Sequence, residues 1–173
     1  MSTGDKVSRE FALPKAHEIM RLLNPVCERI EIAGSLRRGK PEVGDIEIVC
    51  IPKPTKDLFG NVTLNSSAIE NALSGYTFIK NGDHFKQFDL GSLKCDLFIT
   101  NELCWGVIFL IRTGSADFSH KMVTPKKYGG FMPSHLHVKD GRLCDDTGPC
   151  RTPEEKDVFA IYGMDFIPPE ARI

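Results

Sequence analysis

No apolar run in this chain approaches the roughly 20 residues needed to span a bilayer. The longest, Trp105 to Ile111, has the length of a buried helix. Met1 to Arg9 lacks the apolar core of a secretory signal. An excess of one charge sign is missing too: 22 Lys and Arg against 23 Asp and Glu leave a net charge of −1. Proteins whose affinity comes from neutralising phosphates are usually more basic. That balance argues against tight nucleic-acid binding, so any such contact has to come from a local basic patch. Internal repeats and low-complexity linkers are also absent. What remains is globular composition: 173 residues, 41% hydrophobic and 26% charged, neither disordered nor fibrous. The expectation is a soluble intracellular protein, cytoplasmic or viral, of one domain or of one domain with a small appended lobe. Cys27, Cys50, Cys95 and Cys104 sit in or beside apolar runs, as free core thiols do.

Along the chain, Ala16, Ile19, Met20 and Leu23 follow helical spacing, with Pro14 as a first-turn proline and Asn24-Pro25 as the stop. Arg29 to Ala33 and Asp45 to Ile51 alternate apolar with charged residues and read as strands. Ser67 to Leu73 reads as a short helix with a capping box from Ser67 to Glu70. Tyr76 to Lys80, His84 to Leu90 and Leu93 to Thr100 are strand-like, separated by Asn81-Gly82 and Gly91-Ser92 turns. Cys104 to Arg112 predicts a buried helix, interrupted at Thr113-Gly114-Ser115, with a second helix from Ala116. Leu136 to Lys139 and Arg142 to Cys144 flank the hairpin signal Asp140-Gly141. A last helix is expected with Thr152 as N-cap, Pro153 at N1 and Glu155 at N3, running to Tyr162 and capped by Gly163. The fold class is therefore α+β: a mixed sheet flanked by helices, followed by a small helix, hairpin and helix lobe. The expected divide is 1–113 for the first domain and 114–173 for the second.

Residues two apart on a strand share a face. Asp45 and Glu47 then point one way, while Ile46, Ile48 and Cys50 point toward a core. Asp96 lies between apolar neighbours on another strand-like piece. If those strands are neighbours, three carboxylates converge, and like charges that close repel unless a cation lies between them. Oxygen-only ligands select Mg²⁺ or Mn²⁺. Two such ions are the device for in-line phosphoryl transfer. Asp45 and Glu47 taken alone are better read as the solvated face of an edge strand. The preceding Gly34-Ser35-Leu36-Arg37-Arg38-Gly39 weighs against that, because a glycine-serine turn after a strand offers N–H groups to a phosphate and Arg38 a charged fork.

Gly34-Ser35, Arg37-Arg38-Gly39 and Gly44-Asp45-Ile46-Glu47 together resemble the signature of the DNA polymerase beta superfamily of nucleotidyltransferases. Lys94-Cys95-Asp96 fits the family's third-carboxylate strand, and Thr113-Gly114-Ser115-Ala116-Asp117-Phe118 is similar to the nucleotide-binding turn and helix of family X DNA polymerases. Asp157 to Gly163, then Pro168-Pro169-Glu170-Ala171-Arg172, resembles that family's last helix and tail. The resemblance implies a nucleotidyltransferase palm with a helix-hairpin-helix-like nucleotide-selecting lobe, acting as a minimal gap-filling or repair DNA polymerase. Asp45, Glu47 and Asp96 would hold two Mg²⁺ or Mn²⁺ ions, with Asp96 helping to deprotonate a primer 3′-hydroxyl. Gly34, Ser35 and Arg38 would hold the triphosphate of the incoming nucleotide. Gly114 and Ser115 would approach its sugar and base. Ser119 stands where the family usually has a nucleotide-contacting asparagine, and Lys94 where it often has an arginine. The sequence departs from the pattern at Glu47, usually aspartate, and at Ile111-Arg112, commonly two aromatics.

The expected partners are a nucleoside triphosphate and a DNA primer or primer-template, bound weakly by a monomer with no membrane contact. The near-neutral charge keeps a second reading open, a nucleotidyltransferase acting on a small molecule, an RNA end or a protein hydroxyl. A third, a non-catalytic binding module, is opposed by the three acids. His135, His137, Cys144 and Cys150 could ligate zinc, but their spacing matches no standard pattern, and exposed hairpin residues are the better reading. Arg112, His120, Lys121, Lys126 and Lys127 form the densest basic stretch, either a solvated surface or a phosphate-contacting one. Trp105 reads as core.

Overall fold

The structure, a computed structural model, describes residues 6–56, 62–64 and 66–172. Through them the chain runs β1 (Val7–Ser8), α1 (Arg9–Leu23), β2 (Cys27–Ile32), α2 (Gly34–Arg37), β3 (Glu42–Val43), β4 (Ile46–Pro52), β5 (Pro54–Lys56) and β6 (Val62–Leu64). It continues through α3 (Ser66–Ala72), β7 (Phe78–Asn81), β8 (Phe85–Asp89), β9 (Lys94–Ile99), α4 (Trp105–Thr113) and α5 (Ala116–Val123). It ends with β10 (His137–Lys139), β11 (Arg142–Asp145), β12 (Gly148–Pro149) and α6 (Glu155–Tyr162). This is an α+β fold with a mixed sheet flanked by helices. No described helix is long and apolar enough to cross a membrane. The chain divides into two compact units, one of residues 1–32 and 40–100, the other of 33–39 and 101–173. The divide expected at 113/114 thus lies earlier in the chain. Helix α4 is apolar on most of its surface, and its Val107 and Leu110 join the core of the second unit.

The first unit is built on a five-stranded sheet of order β2-β4-β9-β8-β7. Only β4 and β9 pair in parallel, with Ile46 opposite Cys95 and Glu47 opposite Asp96. A parallel pair needs a long connection, and the chain from β5 to β8 supplies it. Ile46, Ile48, Cys50, Cys95 and Leu97 are wholly buried. Helix α1 presents Ala12, Ala16, Ile19 and Leu23 to the interior and packs against β2, β4 and α3. Burying Ile19 and Leu23 stabilises the unit by roughly 1.5–3 kcal/mol each.

Helix α1 starts earlier than its apolar spacing suggested. Ser8 is its N-cap, accepting from the Phe11 N–H, so Pro14 lies inside the helix and not in its first turn. Pro14 is solvent-exposed, so its ring and the Glu10 carbonyl that it leaves without a helical donor lie on the outer face. Helix α3 also starts before Ser67, and Glu70 does not close the capping box. Its carboxylate instead accepts from Lys86 Nζ at 2.8 Å, the ammonium of a lysine only 1% exposed. A buried ammonium needs an anionic partner more than a helix end needs a second cap.

The second unit packs α4, α5 and α6 around Val107, Leu110, Phe118, Met122, Val158 and Phe159. The hairpin of β10 and β11 turns at Asp140-Gly141 as expected, with Lys139 opposite Arg142. Helix α6 begins two residues later than its sequence signals indicate. Glu154 is the N-cap and forms a capping box with Asp157, whose carboxylate accepts from the Glu154 N–H at 2.8 Å. Thr152 is buried in extended chain, and its carbonyl accepts from Gly106 N–H at 3.1 Å. This close approach to α4 holds residues 152–154 out of the helix. Trp105 is wholly buried, and Cys27, Cys50, Cys95, Cys104 and Cys144 are buried free thiols.

Candidate functional site

Two clusters of polar residues need explanation, one in each unit. In the first unit Glu47 is the second residue of β4 and Asp96 the third of β9, and their register makes them direct neighbours on one face. Asp45 immediately precedes β4, in the bend two residues before Glu47. All three are partly exposed, while Ile46 and Cys95 between them are sealed in the core. The Cys95 thiol is held well above its usual pKa, first by burial and then by the negative charges of Asp96, Asp45 and Glu47. One thiol therefore lies within the fields of all three carboxylates.

Sequence reasoning missed a fourth member. Gln87 lies opposite Asp96 on β8, and its Nε2 donates to Asp96 Oδ1 at 2.7 Å. Glu47, Asp96 and Gln87 form one row across β4, β9 and β8. The only signal in the sequence was alternation, because Gln87 stands between Lys86 and Phe88, both buried. Placing it beside Asp96 needed the strand register. Lys94, two residues before Asp96, is exposed and pairs in register with Asp89. Among the described residues no group of three or more His, Cys, Asp or Glu is gathered in a way that could hold a metal ion. The carboxylates at 45, 47 and 96 nevertheless offer oxygen alone, the donor chemistry that hard divalent cations take.

In the second unit the structure joins two motifs that lie far apart in the sequence. Arg37 Nη1 donates to the Thr113 hydroxyl and Arg38 Nη1 to the Thr113 carbonyl. The Arg37-Arg38 pair that follows Gly34-Ser35 is thus coupled to the Thr113-Gly114-Ser115 turn. Gly114 has φ +76, and a Cβ there would come within 2.6 Å of Arg38 Nη1. Only glycine combines that backbone with that approach. The Gly114–Ser115 peptide is cis, and the Ser115 hydroxyl caps α5 by accepting from Phe118 N–H at 3.3 Å. Ser119 is buried, and its hydroxyl donates to the Ile111 carbonyl at 2.7 Å, tying α5 back to α4.

Arg37 carries more structure than its sequence position disclosed. Its Nη2 donates to Glu155 Oε2 at 2.6 Å, and its guanidinium stacks 3.9 Å from the Phe109 ring centre. The other Glu155 oxygen accepts from Arg172 Nη1 at 2.7 Å. Arg172 is 1% exposed, lies about equally over Phe118, Phe159 and Phe166 at 5.4, 5.5 and 5.5 Å, and also donates through Nε to the Ile167 carbonyl. Burial pushes the Glu155 carboxyl up, but the hydrogen bonds and charges of Arg37 and Arg172 outweigh it and hold the group below its usual range. Arg172 thereby fixes Glu155, Glu155 fixes Arg37, and Arg37 fixes the Thr113 turn.

His135 and His137 are exposed and Cys144 is buried opposite His137. Arg112, His120, Lys121, Lys126 and Lys127 are all exposed. No protein-family model matches the chain, and no curated protein matches it significantly.

Proposed function

We propose that this protein is a metal-dependent nucleotidyltransferase that extends a DNA primer 3′-hydroxyl and releases pyrophosphate, in the manner of the family X polymerases its motifs resemble. The observation that carries the reading is the register of β4 and β9, which sets Glu47 beside Asp96, with Asp45 two residues before Glu47 in the chain. Carboxylates brought side by side, as Glu47 and Asp96 are, repel, and a cation drawn between them would relieve the repulsion. Mg²⁺ or Mn²⁺ held by Asp45, Glu47 and Asp96 would supply charge neutralisation at the attacking and departing oxygens. Asp96 receives the proton of the attacking hydroxyl, and the Gln87 amide holds it in the orientation that leaves Oδ2 for that task. Ser35 and Arg38 bind the triphosphate oxygens, with Arg38 braced by Thr113. The Gly114-Ser115 turn contacts the nucleotide's sugar and base, Ser119 reinforces that turn, and Lys94 offsets the charge of the acids.

A net charge of −1 favours one rival, nucleotidyl transfer to a small molecule, an RNA end or a protein hydroxyl. One assay separates the two. A labelled primer, alone or in gapped duplex, is incubated with each deoxynucleotide and Mg²⁺ or Mn²⁺. Primer extension that disappears in Asp45→Ala, Glu47→Ala and Asp96→Ala, all still folded, is the expected result. Near-normal turnover in Asp96→Ala would sink the three-carboxylate reading. Absence of extension with transfer to another hydroxyl would favour the rival.

A further inference from the structure

Between Asp117 and Asp140 the chain contains no Asp or Glu, yet it carries Lys121, Lys126, Lys127 and Lys139. In a protein of net charge −1 this is a strong local concentration of positive charge. All four lysines are exposed. At the centre of the stretch is Tyr128, 72% exposed, more than any other large hydrophobic side chain among the described residues.

An aromatic ring left in water at the tip of a loose loop would mean little. This tip is tightly built. Residues 126–128 form one 3₁₀ turn, and the chain on either side is laced by backbone hydrogen bonds. Lys126 N–H donates to Met132 O at 2.8 Å, Phe131 N–H to Lys121 O at 2.8 Å and Met132 N–H to Thr124 O at 3.1 Å. Met132, at its base, is buried in the core of the second unit. The closure leaves no room at Gly130, where a Cβ would lie 1.9 Å from the Thr124 carbonyl oxygen. A rigid base thus holds out a lysine pair and an aromatic ring. Lys127 Nζ sits 4.9 Å from the centre of the Tyr128 ring, a cation over the π-system.

We infer that the Lys126-Lys127-Tyr128 tip is a docking site for single-stranded nucleic acid, with a base stacked on Tyr128 and the strand's phosphates on the lysines. An unpaired base has an open face to offer a ring, and its flanking phosphates match the charge of the exposed lysines. In a duplex the bases are already stacked on one another. An anionic membrane would satisfy the lysines and take an interfacial tyrosine as well, and the vesicle arm of the test separates it from a strand. The inference concerns strand binding and stands apart from nucleotidyl transfer, because it needs neither nucleotide nor metal.

The test uses the full chain with no nucleotide or divalent ion present. Binding of fluorescent single-stranded DNA and RNA oligonucleotides, one set carrying 2-aminopurine, is followed at several salt concentrations. Hairpin duplex, inorganic polyphosphate and anionic phospholipid vesicles are the competing arms. Tyr128→Ala should weaken strand binding about tenfold, near 1.4 kcal/mol, and abolish 2-aminopurine quenching. Tyr128→Phe should restore both to within about twofold. Lys126→Gln with Lys127→Gln should lower the salt slope by roughly 0.7 per lysine removed. Tyr128→Ala binding as wild type, or polyphosphate or vesicles competing as well as the strand, would overturn the inference. Asp96→Ala should bind strand as wild type does whether or not the primer assay shows extension, and loss of strand binding in that variant would overturn the inference.

Discussion

Removing the Glu155 carboxylate should be among the most damaging single changes to the second unit. Its side chain is 5% exposed and bridges Arg37 at 2.6 Å and Arg172 at 2.7 Å. The two arginines are not equivalent. Arg172's side chain is 0% exposed, whereas Arg37's is 22% exposed and can be rehydrated. Glu155→Ala therefore leaves one guanidinium buried without a counter-charge. Breaking such a pair from one side costs about 3–5 kcal/mol, and the Arg37 contact, which water can replace, adds about 1 kcal/mol at most. At this chain length each kcal/mol shifts the melting temperature by about 2–4 °C, so the expected fall is roughly 6–24 °C. The assay is a calorimetric or circular-dichroism melt of wild type, Glu155→Ala, Arg172→Leu and the double variant. The double variant should melt above Glu155→Ala although it lacks one more side chain, because no fully buried charge is orphaned. The pH dependence carries the same sign. A carboxyl whose pKa is lowered on folding contributes stability that is fully present above the unfolded value, about 4.3, and lost as pH falls through the lowered folded value. Wild type should lose stability across that acidic window and Glu155→Ala should lose less. A Glu155→Ala penalty below about 1 kcal/mol, the level of an exposed ion pair, would show that water reaches the cluster and that the burial argument is wrong.

Gly106→Ala should cost about 1–3 kcal/mol in chemical denaturation, since its Cβ would lie 2.3 Å from the Thr152 carbonyl oxygen and 2.5 Å from that of Glu154, both backbone atoms. The adjacent arginines should separate cleanly: Arg37→Ala lowers the melting temperature because it abandons Glu155, Thr113 and Phe109, while Arg38→Lys chiefly raises the nucleotide KM by losing the planar fork. Equal effects on both readouts would remove that distinction. Gln87→Ala should lower kcat about tenfold, near 1.4 kcal/mol, with little change in melting temperature. Unchanged kcat would mean that Asp96 does not depend on the amide for its orientation.

Local patterns were legible where a short stretch settles its own structure. Alternation around Glu47 and Asp96 marked two strands, the Asp140-Gly141 pair marked a hairpin turn, and Gly163 marked the end of α6, with φ +68. Thr113-Gly114-Ser115 was legible as a break between helices because glycine and a capping serine impose one. Starts of helices were read less well. Ser8, Glu154 and Asp157 do the capping where Pro14 and Thr152 stood out, because propensity ranks residue types while hydrogen-bond partners are chosen by neighbours.

Adjacency across the chain was beyond the sequence. That Asp96 neighbours Glu47 and accepts from Gln87 follows from strand order and register, which alternation alone leaves open. The Arg37, Glu155 and Arg172 cluster draws on three separated segments, and the sequence marked these residues only as part of a motif, a helix start and a tail, with nothing to join them. Tertiary packing decided otherwise, since burying a guanidinium is tolerable only when a carboxylate arrives with it, and that carboxylate lies 118 positions from Arg37 along the chain. Residue types limit which chemistry is open to each position; which groups meet is set by the pairing of distant surfaces that exclude water together.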